Sequence, residues 1–285
     1  MNSIKVGFLL LLMTLLFMAV GFLLGGRNGM MIAFAFAAIF NFASYWYSDK
    51  IILKMYKARP VNESDHRRLY SIVRGVSQKA MTSMPKVYII PNKAPNAFAT
   101  GRNSSHAAVA VTEGLLEILD DRELEGVIGH EMAHVLNRDM LIQTIAATLA
   151  GAIGLIASMA RWALIFGGGG GRDERSNPFA LIIAMIVAPI AAMLIQMGIS
   201  RAREYKADER GGEITNQYLG LASALKKINR APHRMSTAER HPETAQLFIS
   251  NPLSGKGIAA LFSTHPPVEK RIKRLEDLAT RSVYR

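Results

Sequence analysis

Two histidines four positions apart, His130 and His134, are the residues of this chain best placed to do chemistry. On a helix such positions share a face, so both imidazoles can reach one metal ion. Glu131 stands between them in Gly129-His130-Glu131-Met132-Ala133-His134, where it can take a proton from a metal-polarised water. The same spacing also fits a helix with two satisfied histidines and a surface glutamate, so the surroundings decide. Asp120-Asp121-Arg122-Glu123 has the form of a capping box at a helix start. Leu124, Val127, Ile128 and Val135 follow at helical spacing, which places the motif on a half-buried helix.

A catalytic zinc takes three protein ligands and keeps one position for water. The chain has no cysteine, so every ligand must be histidine or carboxylate, and no disulfide framework exists. The candidate for the third ligand lies in Arg203-Glu204-Tyr205-Lys206-Ala207-Asp208. Glu204 and Asp208 are again four apart on one helix face. Glu204 could bind the metal while Asp208 accepts a hydrogen bond from the free ring nitrogen of a histidine ligand. A solvated helix with both acids paired to neighbouring arginines fits the composition as well.

Long apolar runs must position these two half-sites. Residues 6–24 form an uncharged run long enough to cross a hydrocarbon core, and glycines at 25, 26 and 29 turn the chain into a second run, 30–47. That run ends in the aromatic belt of Tyr45, Trp46 and Tyr47. Lys50, Lys54, Lys57 and Arg59 follow at once, against the single Arg27 between the runs. The positive-inside rule therefore places the amino terminus and everything after Lys50 in the cytoplasm. Residues 141–160 and 179–199 are a third and a fourth run, separated by a polar loop with five consecutive glycines at 167–171. An even number of spans separates His134 from Glu204, and each lies next to a span. Antiparallel packing of those spans brings the two half-sites together at the cytoplasmic surface.

Between the first and second pairs of spans, residues 62–80 have the pattern of an amphipathic helix and 87–90 that of a short buried strand. Residues 92–101, which follow Pro91 and contain Pro95 and Gly101, read as a loop. Ala107, Ala108, Val109, Ala110, Val111 and Thr112 read as a second strand, by composition in the sheet core; an edge strand that pairs with an extended substrate backbone is the other reading. The remainder, 222–285, is basic and largely helical, and no internal repeat is visible. The formal charge of +12 does not indicate nucleic acid, because basic residues bordering a bilayer set orientation and attract anionic lipid, and the interleaved aromatics of a nucleic-acid surface are missing. Few polar residues interrupt the spans beyond Asn41, Thr144 and Gln196, which speaks against a transporter.

His130-Glu131-Met132-Ala133-His134, then Ser200-Arg201-Ala202-Arg203-Glu204-Tyr205-Lys206-Ala207-Asp208, then Thr264-His265-Pro266-Pro267 resemble the HtpX heat-shock membrane metalloproteases. Asn96-Ala97-Phe98-Ala99-Thr100-Gly101 and the strand after it also look like that family, and the resemblance covers essentially the whole chain. More distantly, the zinc motifs resemble those of the prenyl-protein processing proteases. The resemblance implies a mostly α integral membrane protein: four transmembrane helices plus a cytoplasmic zincin-like metalloprotease domain with a small β-sheet. The parts would be a transmembrane hairpin (1–49), a first half of the protease domain (50–140), a second helix pair (141–200) and a second half of the domain (201–285). One Zn²⁺ per chain would be held by His130, His134 and Glu204, with Glu131 as general base and Asp208 behind a histidine ligand. His265 would lie near the site and stabilise the oxyanion. Asn96 and the strand from Ala107 to Thr112 would bind substrate, the strand as an edge. Arg271 would orient Glu204 or Asp208. The implied activity is zinc-dependent endoproteolysis of misfolded or damaged membrane proteins in the bacterial inner membrane, overlapping with other membrane proteases. A dedicated processor of a lipidated or peptide substrate, or a membrane zinc sensor, are the rival functions.

Overall fold

The computed structural model describes residues 2–137, 139–150, 201–231, 247, 249 and 266–283. Residues 151–160 of the third apolar run, the glycine-rich segment, the fourth run and His265 lie outside the described residues.

Helical backbone runs over Asn2–Met55 (α1), but the chain turns back on itself at Gly26, whose φ of +59° suits glycine. The two limbs touch. A Cβ at Gly21 would stand 2.5 Å from the Gly29 carbonyl oxygen, and one at Gly29 would stand 2.2 Å from that of Gly21. Farther along, the Asn41 amide donates to the Leu10 carbonyl at 3.0 Å and to Thr14 Oγ1 at 2.8 Å, and Phe17 packs edge-on against Phe36 and Phe40. Asn41, a polar residue within the spans, thus ties the hairpin together. Both limbs, Ile4–Phe22 and Gly26–Met55, are long and apolar enough to cross a membrane, with mean hydropathy 2.3 and 1.4. Phe8, Leu11, Ile32, Phe34 and Ile39 point outward and would meet lipid. The second limb continues beyond the aromatic belt to Met55, so Lys50 and Lys54 belong to its last turns.

A four-stranded sheet follows, made of β1 (Arg59–Pro60), β2 (Lys86–Ile90), β3 (Ala97–Gly101) and β4 (Ala107–Thr112), in the order β1-β2-β4-β3. Strand β4 pairs in parallel with β2 and antiparallel with β3, so both of its backbone edges are taken. The expected edge strand is therefore an interior one, and the edge is β3, within the stretch expected to be a loop. All five residues of β3 are buried, so it lacks the alternation of a half-exposed strand.

Side chains alternate between two covered faces of this sheet. Val87, Ile89, Val109 and Val111 join the main core with helices α2 (Arg67–Lys79) and α4 (Asp121–Leu136). Ile90, Phe98, Ala108 and Ala110 face Ile52, Leu53 and Tyr56 at the end of the hairpin, where the rings of Tyr56 and Phe98 lie 5.3 Å apart. The membrane hairpin is thus joined to the sheet by apolar packing. Helix α2 starts five residues later than its pattern suggests, because residues 62–66 form a turn in which Asp65 and His66 donate to the Asn62 carbonyl. After the short helix α3 (Glu113–Ile118), α4 opens on the expected capping box. Asp120 accepts from the Glu123 amide, and the Glu123 carboxylate accepts from that of Asp120, both at 2.9 Å.

Helix α5 (Met140–Ala150) is the described part of the third apolar run. It packs Ile142, Ile145 and Leu149 against Val6, Leu9 and Met13 of the hairpin. Its Thr144 hydroxyl lies 3.0 Å from that of Thr100 on β3 and donates to the Met140 carbonyl, which satisfies a buried polar group within this apolar helix. Helices α6 (Arg201–Thr215), α7 (Tyr218–Arg230) and α8 (Val268–Val283) complete the described residues. The last two are amphipathic and close over α4 and α6.

Candidate metal centre

Helix α4 is buried from Gly126 to Val135, so every residue of the histidine motif faces protein. Helices can surround α4 this closely because its interior carries glycines. A Cβ at Gly126 would lie 2.7 Å from the Leu221 amide nitrogen of α7. Gly129 of α4 and Gly211 of α6 face each other: a Cβ on the first would meet the Gly211 carbonyl at 2.9 Å, and one on the second the His130 amide nitrogen at 2.7 Å. This contact brings α6 against α4, and Asp208 and Glu204 reach the histidines from about one and two turns before it, respectively.

Nε2 of His134 lies 3.5 Å from one oxygen of Glu204, and Nε2 of His130 lies 3.7 Å from the other. One ligand atom from each of His130, His134 and Glu204 falls within 4.8 Å of the others. A tetrahedral site with bonds near 2.0–2.1 Å has edges of roughly 3.3–3.4 Å, so this donor set fits a metal ion with little movement. Two imidazoles and one carboxylate, nearly inaccessible to solvent, also match the donor chemistry of a catalytic zinc with one position left for water.

Glu131 leaves the same helix toward the sheet. Its Oε2 accepts a hydrogen bond of 2.8 Å from the amide of Ala99 on β3. Burial, aided by the charge of Glu204, pushes its carboxyl up to about 7 against the opposing pull of His134. A carboxyl with a proton affinity near neutrality can both take and return a proton. The site thus has the parts of metal-assisted hydrolysis: a donor triad, a proton carrier beside it, and a strand edge along one side.

The sequence profile of peptidase family M48 matches residues 63–279, well over half of the chain. The chain belongs to that family. Kinship extends through the hairpin: the chain is 55% identical over 276 residues to the Protease HtpX homolog of Desulforapulum autotrophicum, covering 96% of this chain and 89% of that protein. It is 53% identical over 279 residues to the Protease HtpX homolog of Thermococcus sibiricus, covering 97% and 96%. The crystal structure of S. mikatae Ste24p superposes with a TM-score of 0.49 at 16% identity, over 95% of this chain and 62% of that one, too little to bear on the fold. As an M48 peptidase of the HtpX type, the protein is a metalloprotease, and its two apolar limbs make it a membrane protein.

In this M48 peptidase the triad is held by charged side chains buried behind it. Asp208 Oδ1 lies 3.0 Å from His130 Nδ1, the ring nitrogen turned away from Glu204. Arg271 of α8 is fully buried and clamps Asp208 through two bonds, Nε to Oδ2 at 2.9 Å and Nη2 to Oδ1 at 2.7 Å. Its Nη1 donates to the Ile249 carbonyl at 2.6 Å and lies 3.6 Å from Glu204. Burial would raise the Asp208 carboxyl, but Arg271 and His130 more than offset this and hold it below the ordinary carboxylate range. Burial, together with the nearby Arg271 charge, keeps His130 below its usual value despite Asp208, which suits a neutral ligand. Burial works in the same direction on His134, yet Asp139 and Glu204 outweigh it and raise its affinity for a proton.

Two groups expected at the site have other surroundings. Asn96 is buried and structural: its amide nitrogen donates to Thr112 Oγ1 at 2.8 Å, and its side-chain oxygen accepts from the Ile249 amide at 3.1 Å. Residues Ala107 to Thr112 lie one strand away from the Glu131 contact, so β4 offers substrate no free backbone edge. Sequence reasoning missed β3, the Gly129–Gly211 contact and Asp139, whose Oδ2 is 3.7 Å from His134 Nδ1. A glycine within each helix, Gly129 beside His130 and Gly211 seven residues after Glu204, was the available signal for the contact.

Proposed function

We propose that the protein is a zinc-dependent endopeptidase acting at the cytoplasmic face of the bacterial inner membrane, with misfolded or damaged membrane proteins as substrates. The observation that carries this reading is the convergence of His130, His134 and Glu204, with Glu131 beside them on the strand-facing side. Zinc in that triad would polarise the scissile carbonyl and make water acidic enough to deprotonate near neutral pH. Glu131 takes the proton from the attacking water and returns it to the leaving amine. Asp208, held by Arg271, keeps His130 neutral and oriented.

Strand β3 takes over the role expected of Ala107 to Thr112, aligning an extended substrate along the edge that no other strand among the described residues pairs with. Backbone pairing of this kind tolerates many side chains, as suits damaged substrates. His265, next to Pro266 at the start of α8, stabilises the developing oxyanion. Four spans, the second pair within 141–200, set both halves of the catalytic domain on one side of the bilayer.

The test is cleavage of one membrane protein in two states. Purified enzyme should cut a destabilised variant much faster than its folded parent. Equal rates on both, or cleavage at a single fixed bond in every substrate, would replace quality control with dedicated processing.

A further inference from the structure

A groove of about 710 Å³ lies on the hairpin side of the sheet, opposite the face against which the catalytic helix packs. One wall is the second limb of the hairpin, through Phe42, Trp46 and Lys50; the other is formed by Lys86 and Tyr88 of β2 and by Arg102, just past β3. Phe42, Trp46 and Lys50 are spaced four apart, so they stack along one face of the limb at a rise of about 6 Å per step. The order along that face is apolar, aromatic, cationic, in step with the acyl chain, glycerol region and phosphate of a phospholipid. Phe42 is 63% exposed and Trp46 42%, within a helix apolar enough to cross a membrane.

The cationic end is built as well as charged. The Arg102 guanidinium lies 4.5 Å above the Trp46 ring, and Lys50 Nζ lies 5.2 Å from that of Tyr47. Lys86 is exposed at the same rim. One carboxylate, Asp49, lines the groove with these three cations, and none of the three is ion-paired among the described residues. His106 closes the rim, its Nδ1 2.7 Å from Asn103 Oδ1. Nothing in the hydrolytic site uses this feature.

We propose that the groove seats one anionic phospholipid of the adjoining leaflet. Its phosphodiester lies among Lys50, Lys86 and Arg102, and an acyl chain runs along Trp46 and Phe42. A lipid rather than a peptide is favoured because the groove is continuous with the outward surface of the span, and because β2 and β4 are already paired where they border it. The inference rests on the reading of the hairpin as membrane-spanning, which resistance of the full-length protein to alkaline extraction from membranes tests separately. Bound lipid would brace the sheet against the bilayer at a fixed height.

The deciding experiment is native mass spectrometry of the full-length protein in detergent, with phosphatidylglycerol and phosphatidylcholine supplied in equal amounts. Wild type should retain phosphatidylglycerol preferentially. Each juxtamembrane cation favours anionic lipid by about fivefold, so the Lys50→Ala/Lys86→Ala/Arg102→Ala variant should lose at least about tenfold of that preference. Casein cleavage in detergent should be unchanged in the variant, since none of the three residues touches the metal centre. If the triple variant is lost to misfolding, Lys86→Glu alone, at an exposed position, should still reduce retention. Equal retention of the two lipids by wild type would overturn the proposal. So would undiminished phosphatidylglycerol preference in the variants, and if such variants also failed to cut membrane substrates, the groove would be assigned to peptide instead.

Discussion

Removing the Arg271 guanidinium should be among the most damaging single changes outside the triad itself. Its charge is fully buried, and it supplies both bonds to Asp208, at 2.7 and 2.9 Å, and one to the Ile249 carbonyl. Arg271→Met keeps much of the volume but leaves a buried carboxylate with only the His130 ring beside it. Breaking a buried ion pair from one side costs about 3–5 kcal/mol. In a chain of this size each kcal/mol shifts the midpoint by about 2–4 °C, so the loss should be about 6–20 °C. Unfolding from detergent is governed by rates, so variants are compared by apparent midpoint at one scan rate and one detergent concentration. Arg271→Lys keeps the charge but not the fork and should lose less. Arg271→Met combined with Asp208→Asn removes the stranded charge and should regain a large part of the loss, a coupling that independent sites would not show. Metal affinity should fall by about 10- to 100-fold in Arg271→Met, because His130 loses its support. A midpoint within 2 °C of wild type, or a double variant no more stable than the single, would refute this reading of the clamp.

Other consequences follow from the same geometry. In metal-free protein the Glu131 carboxyl is raised from 4.5 to about 7, so folding binds a proton between those values and stability should fall as pH rises through that window, by roughly 3 kcal/mol; denaturant midpoints of the apoprotein at pH 5 and pH 8 should show this slope, and Glu131→Gln should flatten it. A Cβ at Gly211 would press on the backbone of Gly129 and His130 at 2.7–2.8 Å, so Gly211→Ala should cost about 1–3 kcal/mol and reduce metal retention, whereas Gly75→Ala, with open space around it, should leave zinc content unchanged. Because the chain has no cysteine, single cysteines report topology without background: one at Arg27 should react with an impermeant maleimide in intact cells, and one at exposed Ser105 only after permeabilisation.

Much of this architecture was legible because it follows from short-range rules. The capping box at Asp120, the four-residue spacings and the hairpin glycines all act within a few positions of themselves. The juxtaposition of Glu204 with the histidines was expected too, from the donor types and their four-residue spacing. What escaped notice depends on long-range packing. Strand β3 looks like a loop because Ala-Phe-Ala-Thr-Gly is small and buried on both faces, leaving no alternation to detect. That β4 is interior follows from which strands flank it, and periodicity carries no information about neighbours. Arg271 was expected to orient Glu204 or Asp208, but its complete burial was not legible. It sits on a basic amphipathic helix where most charges are solvated, and only the packing of Asp208 against it distinguishes it from Lys270 or Arg274. Gly129 and Gly211 signal close approach only when considered as a pair.

The most direct measurement is zinc content and casein cleavage, side by side, for wild type and Glu131→Gln in detergent. Glutamine keeps the shape of the side chain and leaves His130, His134 and Glu204 untouched, but it cannot carry the proton. One zinc per chain in both proteins, with cleavage by wild type alone, is the expected result. Full cleavage by Glu131→Gln would contradict its assignment as the base, and the absence of zinc from active wild type would contradict the metal centre itself.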